Sequence, residues 1–458
     1  MFHPDPDFDR RAAALLRAAA NDLKRDDTAA ERDLGLAPGT FAELTCGERP
    51  VSWDLLSRAA RVWPLSERDL LPLRDDAPRG VRVMRAEESF ASSRTLSRGG
   101  VDYYEYRDTA MSRIASYRPE WIRMLQPVGD NDPLNPEVRW NRGHLLYQFT
   151  YFVGPVNYYH RWGDHVACVP MSTGDSVWGL PFAPHSFTTR SADEPAYILA
   201  LTYGGELVGD AQRELAVLGA DAARKSVLPF TEDAAAPALL RAFVLARALT
   251  LEELADRSGL TVAHVTALTD GERQPTEGDL GRLAEALGIS IRDLLAPRTT
   301  TDGGVAVRHA ASARRWHYPA DSPAYRFTEL AGDPSHPHTS ALEVEVLADS
   351  VASASWLTTY QHTYLYVLGD QPVRLLWEAG GERHIADLRP GDSAYVAPQV
   401  PALFVSEGSE PTEAARILLL RIAGTVRPEV RHALGAMAED GLQRYINEDR
   451  LWYATEGH

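Results

Sequence analysis

At 458 residues the chain is too long for one ordinary domain, and three or four are expected. A formal charge of -17 and a pI near 5.3 argue against a nucleic-acid or acidic-membrane surface as the main partner, and two cysteines, Cys46 and Cys168, cannot form a disulfide framework. With neither a basic and apolar leader at Met1 to Asp7 nor an apolar run of eighteen residues, a soluble cytoplasmic protein without a membrane span is expected.

Residues of about 10–75 have helical periodicity broken by short Gly, Pro and Thr turns. Two of their motifs recur. Thr45-Cys46-Gly47-Glu48-Arg49 returns as Thr269-Asp270-Gly271-Glu272-Arg273, and Ser66-Glu67-Arg68-Asp69-Leu70-Leu71 returns as Ser290-Ile291-Arg292-Asp293-Leu294-Leu295, both at an offset of 224 (269 − 45 and 290 − 66). This reads as a tandem duplication. The expected fold class is mixed α and β: a helical domain followed by a β-barrel, twice. The expected limits are 1–77, 78–219, 220–300 and 301–458, with 220–236 as an Ala-rich linker and 427–447 as a closing helix.

Within 78–219, strands separated by Gly, Pro and Asp turns lead to Asn141-Arg142-Gly143-His144-Leu145-Leu146-Tyr147-Gln148-Phe149-Thr150-Tyr151-Phe152-Val153-Gly154. Its β-branched and aromatic content predicts a strand, whose two-residue period puts His144, Leu146 and Gln148 on one face. A second stretch runs from the Gly174-Asp175 turn through Ser176-Val177-Trp178-Gly179 to His185, just after Pro184. The two stretches resemble the paired metal-binding motifs of cupin barrels. In that comparison Arg142 stands at the first histidine, His144 at the second, Gln148 at the glutamate and His185 at the second-motif histidine. Two imidazoles and a carboxamide with open positions suit non-haem Fe(II). A neutral set leaves the metal its full charge, so an anionic chelating substrate is expected. Further histidines, His160 and His165, are expected in the core or a loop.

The second helical stretch, 237–297, resembles helix-turn-helix modules of the phage-repressor type, with Thr261 capping the helix that would enter a major groove. Phosphate contacts need clustered positive charge. Residues 11–76 carry ten basic against twelve acidic residues, and 237–297 six against nine. DNA is therefore not the expected partner. Packing against the barrels, or assembly of a homo-oligomer, is expected instead.

In the second barrel Thr359, Thr363 and Ala402 fall where His144, Gln148 and His185 stand in the first. A lone His362 cannot hold a metal and is expected to be buried or hydrogen-bonded. This barrel is expected to be structural.

A helix-turn-helix module fused to a cupin and doubled in one chain resembles the non-haem iron phosphonate oxygenases: hydroxyethylphosphonate dioxygenase, methylphosphonate synthase and, as a single unit, hydroxypropylphosphonate epoxidase. The dioxygenase takes its third ligand, a glutamate, from a position that falls at about Gly179 here. The synthase uses a glutamine four residues after its first histidine, as Gln148 follows His144. The resemblance implies metal ligands His144, Gln148 and His185, with Arg98, Tyr106 and Asn141 as substrate contacts and no catalytic group beyond the metal site. It also implies a lysine brought over the site from a helical module. Lys24, one of two lysines among 47 basic residues, is preferred for that place, with Asp26 as its formal competitor. The implied activity uses Fe(II) and O2 to cleave the C–C bond of a small-molecule phosphonate, 2-hydroxyethylphosphonate, without 2-oxoglutarate or NADH. Gln148 points to methylphosphonate with bicarbonate or CO2; the alternative is hydroxymethylphosphonate with formate. Two rivals stand outside this chemistry: a regulator whose cupin senses a small ligand, and a purely structural bicupin.

Overall fold

The computed structural model describes residues 7–115, 117–229, 232–295, 301, 303–407 and 414–452, with only the backbone of 232 and 233. The duplication is visible in the helices. Phe8–Asp22, Asp27–Leu34, Trp53–Val62 and the 3-10 turn Glu67–Leu70 return as Glu232–Ala246, Leu251–Ser258, Glu277–Leu287 and Ile291–Leu294. Ser52, Thr250, Thr261 and Thr276 cap helices by accepting a backbone N–H, which satisfies one of the donors a helix start leaves open. Each module has its own apolar core, around Leu16, Phe41 and Leu56 in the first and Leu254, Val265 and Leu283 in the second.

An exposed ion pair ties each module to the helix that follows its barrel. Arg68 pairs with Asp210 at the start of Asp210–Leu218, and Arg292 pairs with Glu429 in Pro428–Gly435. The expected linker at 220–236 is helical in part, through Ala220–Lys225 and the start of Glu232–Ala246. Its alanines favour that state. No single helix among the described residues is long and apolar enough to cross a membrane.

Each barrel combines a seven-stranded sheet with a three-stranded one. In the first, Ser176–Gly179, Tyr147–Val153, Tyr197–Tyr203 and Tyr117–Met124 lie side by side, facing Val156–Trp162 and its partners across the core of Phe152, Ile198 and Phe187. Along Tyr147–Val153 the even-numbered residues face this lumen. Phe149 and Tyr151 point outward and meet Tyr364, Tyr366 and Leu418 of the second barrel. The two large sheets thus pack back to back.

The limits expected at 78 and 301 need correction, because each barrel takes one strand from the other half. Val81–Met84 pairs with Ser393–Val396 of the second barrel, and Val305–Arg308 pairs with Ser176–Gly179 of the first. Buried aspartates latch the exchange. Asp175 accepts from the Ala310 N–H at 2.8 Å, and Asp392 accepts from the Ala86 N–H at 2.8 Å and from Arg85 at 2.8 Å. The period of a strand is the same whichever sheet it joins, so local sequence carries no sign of the exchange.

Candidate metal centre

The strand expected from Asn141 begins only at Tyr147, because Asn141 to Leu146 forms an irregular approach. The side chains still converge. The His144 Nδ1 lies 2.9 Å from the Leu146 carbonyl, an acceptor only, so in the neutral imidazole the ring proton sits on Nδ1 and leaves Nε2 as the ligating atom. That Nε2 is 2.9 Å from Gln148 Oε1. Gln148 donates through Nε2 to Thr150 Oγ1 at 2.8 Å, with its amide oxygen on the His144 side. His144 Nε2 and the Gln148 carboxamide thus meet at hydrogen-bonding distance, two groups that can each lend a lone pair to a cation.

His185 completes the set. Its Nδ1 lies 2.9 Å from the Ala183 carbonyl, again leaving Nε2 as the lone-pair atom. Burial pushes its pKa down to about 4, so it is neutral at physiological pH, as a metal ligand must be. The rings of His144 and His185 lie 5.3 Å apart at 80°. Asn141 accepts from the N–H groups of Gly143 and His185, which turns its own NH2 toward His185 Nε2 at 2.9 Å. Among the described residues no three His, Cys, Asp or Glu side chains gather as a metal site. The donor set fits a metal only with Gln148 as its third member, and it fits non-haem iron, which accepts imidazole and oxygen donors.

Arg98 and Tyr106 border this centre. The charge of Arg98 helps to depress the His185 pKa, and Arg98 also hydrogen-bonds Tyr106. Its guanidinium donates to the Arg139 carbonyl at 3.1 Å and lies 4.8 Å from the Tyr104 ring centroid. The structure thus brings together His144, Gln148, His185, Asn141, Arg98 and Tyr106.

Lys24 is not among them. Its ammonium donates to the Asp22 carbonyl at 2.8 Å and lies 3.2 Å from the Trp452 ring centroid, while Trp452 and Arg450 also bind Asp22. The expectation that Lys24 covers the site is corrected for the single chain, where cation–π attraction holds it to the C-terminal segment. Asp26 is occupied too: it caps the helix Asp27–Leu34. His160 is a core residue opposite His185 in the register, and His165 begins the neighbouring strand. Sequence reasoning missed Glu120, which shares the lumen face with Ile122. Burial raises its pKa, and His144 is among its electrostatic neighbours. No spacing motif marks it.

The chain is 37% identical over its whole length to methylphosphonate synthase of Nitrosopumilus maritimus (strain SCM1), covering 98% of that protein. It belongs to that enzyme's family. The chain is also similar to 2-hydroxyethylphosphonate dioxygenase of Streptomyces viridochromogenes, 27% identical over 71% of this chain and 74% of that protein. A solved structure of the Streptomyces albus dioxygenase, with 2-hydroxyethylphosphonate and Fe(II) bound, is 58% identical, covers 98% of this chain and 100% of its own, and superimposes with a TM-score of 0.93. The helix-turn-helix family matches residues 240–294.

Proposed function

We propose that the chain is an Fe(II)-dependent oxygenase that uses O2 to cleave the C–C bond of 2-hydroxyethylphosphonate. The observation that carries this reading is the convergence of three neutral-capable ligands, His144 Nε2 and Gln148 Oε1 at 2.9 Å with the His185 ring 5.3 Å from that of His144. His144, Gln148 and His185 would hold the metal, which would supply the redox chemistry with O2 and a template for a chelating substrate. The chain's own residues bind and orient. Arg98 offers the charge-assisted contact a phosphonate needs, with Tyr106 beside it. Metal binding at His185 would free the Asn141 amide to donate to the substrate. Three neutral ligands leave the metal charge for an anion. The acidic helix-turn-helix modules are read as packing elements, and the chain as cytoplasmic.

Methylphosphonate is the first product reading, on the full-length likeness to the synthase and the place of Gln148. A second reading, hydroxymethylphosphonate with formate, is favoured by a specific observation: the solved relative at 58% identity is a 2-hydroxyethylphosphonate dioxygenase. A barrier difference of about 1.4 kcal/mol shifts such a partition tenfold. Phosphorus NMR of anaerobically Fe(II)-loaded protein given 2-hydroxyethylphosphonate and then air tests both. A methylphosphonate signal supports the first and hydroxymethylphosphonate the second; unchanged substrate over bound iron rejects the activity. Gln148→Ala is expected to lower iron binding and turnover together.

A further inference from the structure

The second barrel reproduces the backbone of the metal centre without its ligands. The Phe182 N–H donates to the His144 carbonyl at 2.8 Å, and the Gln399 N–H donates to the Thr359 carbonyl at 2.7 Å. The Asn141 N–H bonds the His185 carbonyl just as the Leu357 N–H bonds that of Ala402. One row across three neighbouring strands of each sheet can therefore be compared. In the first barrel it reads Arg118, Thr202, Gln148, and in the second Ser340, Arg421, Thr363. In the middle of this row, where the first barrel has Thr202, the second has Arg421.

Leu420 and Ile422 face the other barrel, whereas Ile417 and Leu419 line the lumen. By that alternation Arg421 points into the lumen, between Ser340 and Thr363. Its Nε is fully buried without a hydrogen-bond partner, and among the described residues no carboxylate pairs with its guanidinium. Burial lowers its pKa, with no charged neighbour raising it back. A buried guanidinium nitrogen without a partner is costly, and an arginine fork is built to grip an oxyanion. The hydroxyls of Ser340 and Thr363, directly opposite it on either side, are donors within side-chain reach.

We propose that the second barrel binds a small tetrahedral oxyanion, of the phosphate or phosphonate class, on Arg421 with Ser340 and Thr363. The barrel has then exchanged a metal site for an anion site. This inference is independent of the iron and of the reaction assigned to the first barrel.

Calorimetric titration of inorganic phosphate into metal-free, full-length protein tests it, with Arg98→Ala and Arg421→Met titrated alongside the wild type. Phosphate binding is expected to survive Arg98→Ala and to weaken at least tenfold in Arg421→Met. The doubly substituted Ser340→Ala, Thr363→Val protein, which keeps the guanidinium, should show an intermediate loss and serves if Arg421→Met does not fold. Displacement of bound phosphate by methylphosphonate at lower concentration would identify the natural ligand as a phosphonate; the reverse order would identify free phosphate. Without anion, Arg421→Met should melt at a higher temperature than the wild type, because an uncompensated charge has gone. Equal phosphate affinity in wild type and Arg421→Met, or no phosphate binding in Arg98→Ala, overturns the proposal. Neither result touches the turnover experiment, since no iron or O2 is present.

Discussion

At Gly143 the backbone takes φ +73°, and a Cβ there would lie 2.4 Å from the carbonyl carbon of Phe182. Phe182 in turn donates its N–H to the His144 carbonyl, so this close approach of two backbones sets how His144 is presented. Gly143→Ala is expected to cost about 1–3 kcal/mol and to weaken iron binding, read from thermal melts and from metal content after dialysis. Two histidines make a separate prediction. Burial pushes both His185 and His362 down to about 4 from an ordinary 6.5. Each is neutral when folded and binds a proton more readily when unfolded, so stability is fully present above pH 6.5 and falls as pH drops toward 4. For His362, bonded to the Tyr395 hydroxyl at 2.8 Å, that loss is roughly 3 kcal/mol. Urea unfolding of metal-free protein across this window should show it, with a flatter slope in His362→Gln. His144, Gln148 and His185 could be proposed from the sequence because ligand motifs fix residue types at short spacings, and the fold brings them together. The place of Lys24 was not legible there, because its partners Asp22 and Trp452 lie at opposite ends of the chain.

The Gly-Asp-Ser turns form a pair of latches. In each, the aspartate takes the backbone of the strand arriving from the other half, and the serine hydroxyl takes one more N–H: Ser176 from Ala331 at 2.9 Å and Ser393 from Ala110 at 2.8 Å. The Asp392 carboxylate also accepts from the Arg389 N–H at 3.0 Å. Asp392→Ala leaves these donors unpaired and is expected to cost about 2–4 kcal/mol, whereas Asp392→Asn keeps one acceptor and should cost less. Thermal melts of the two variants distinguish the outcomes, and equal losses would reject the latch. The turns were readable in the sequence; what they hold was not, because Ala86 and Ala310 carry no side-chain signal.

At the scale of the whole molecule, the two barrels share an apolar seam in which Tyr151, Trp178, Tyr203, Tyr364 and Leu420 are all buried. A chain ending at residue 219 would bare the outer face of the first barrel and leave Ser176–Gly179 as an open edge without Val305–Arg308. Expressed alone, residues 1–219 are expected to aggregate or remain unfolded, as circular dichroism and gel filtration would show. A monodisperse, folded product would mean that the exchange and the seam are dispensable. The second barrel therefore supports the first mechanically, by covering the back of the strand that carries Gln148.

The sequence by itself determined the duplication, the helical modules and the barrel motifs, and it singled out His144, Gln148 and His185 as the proposed donors, since each is written in spacings of a few residues or in a repeat at fixed offset. Only the tertiary structure decided which barrel each exchanged strand joins, where Lys24 rests, and that Arg421 Nε lies buried in the second lumen without a partner among the described residues. Those facts depend on partners hundreds of residues away or on the lack of any partner. Local periodicity fixes the face on which a side chain lies; packing decides what that face meets.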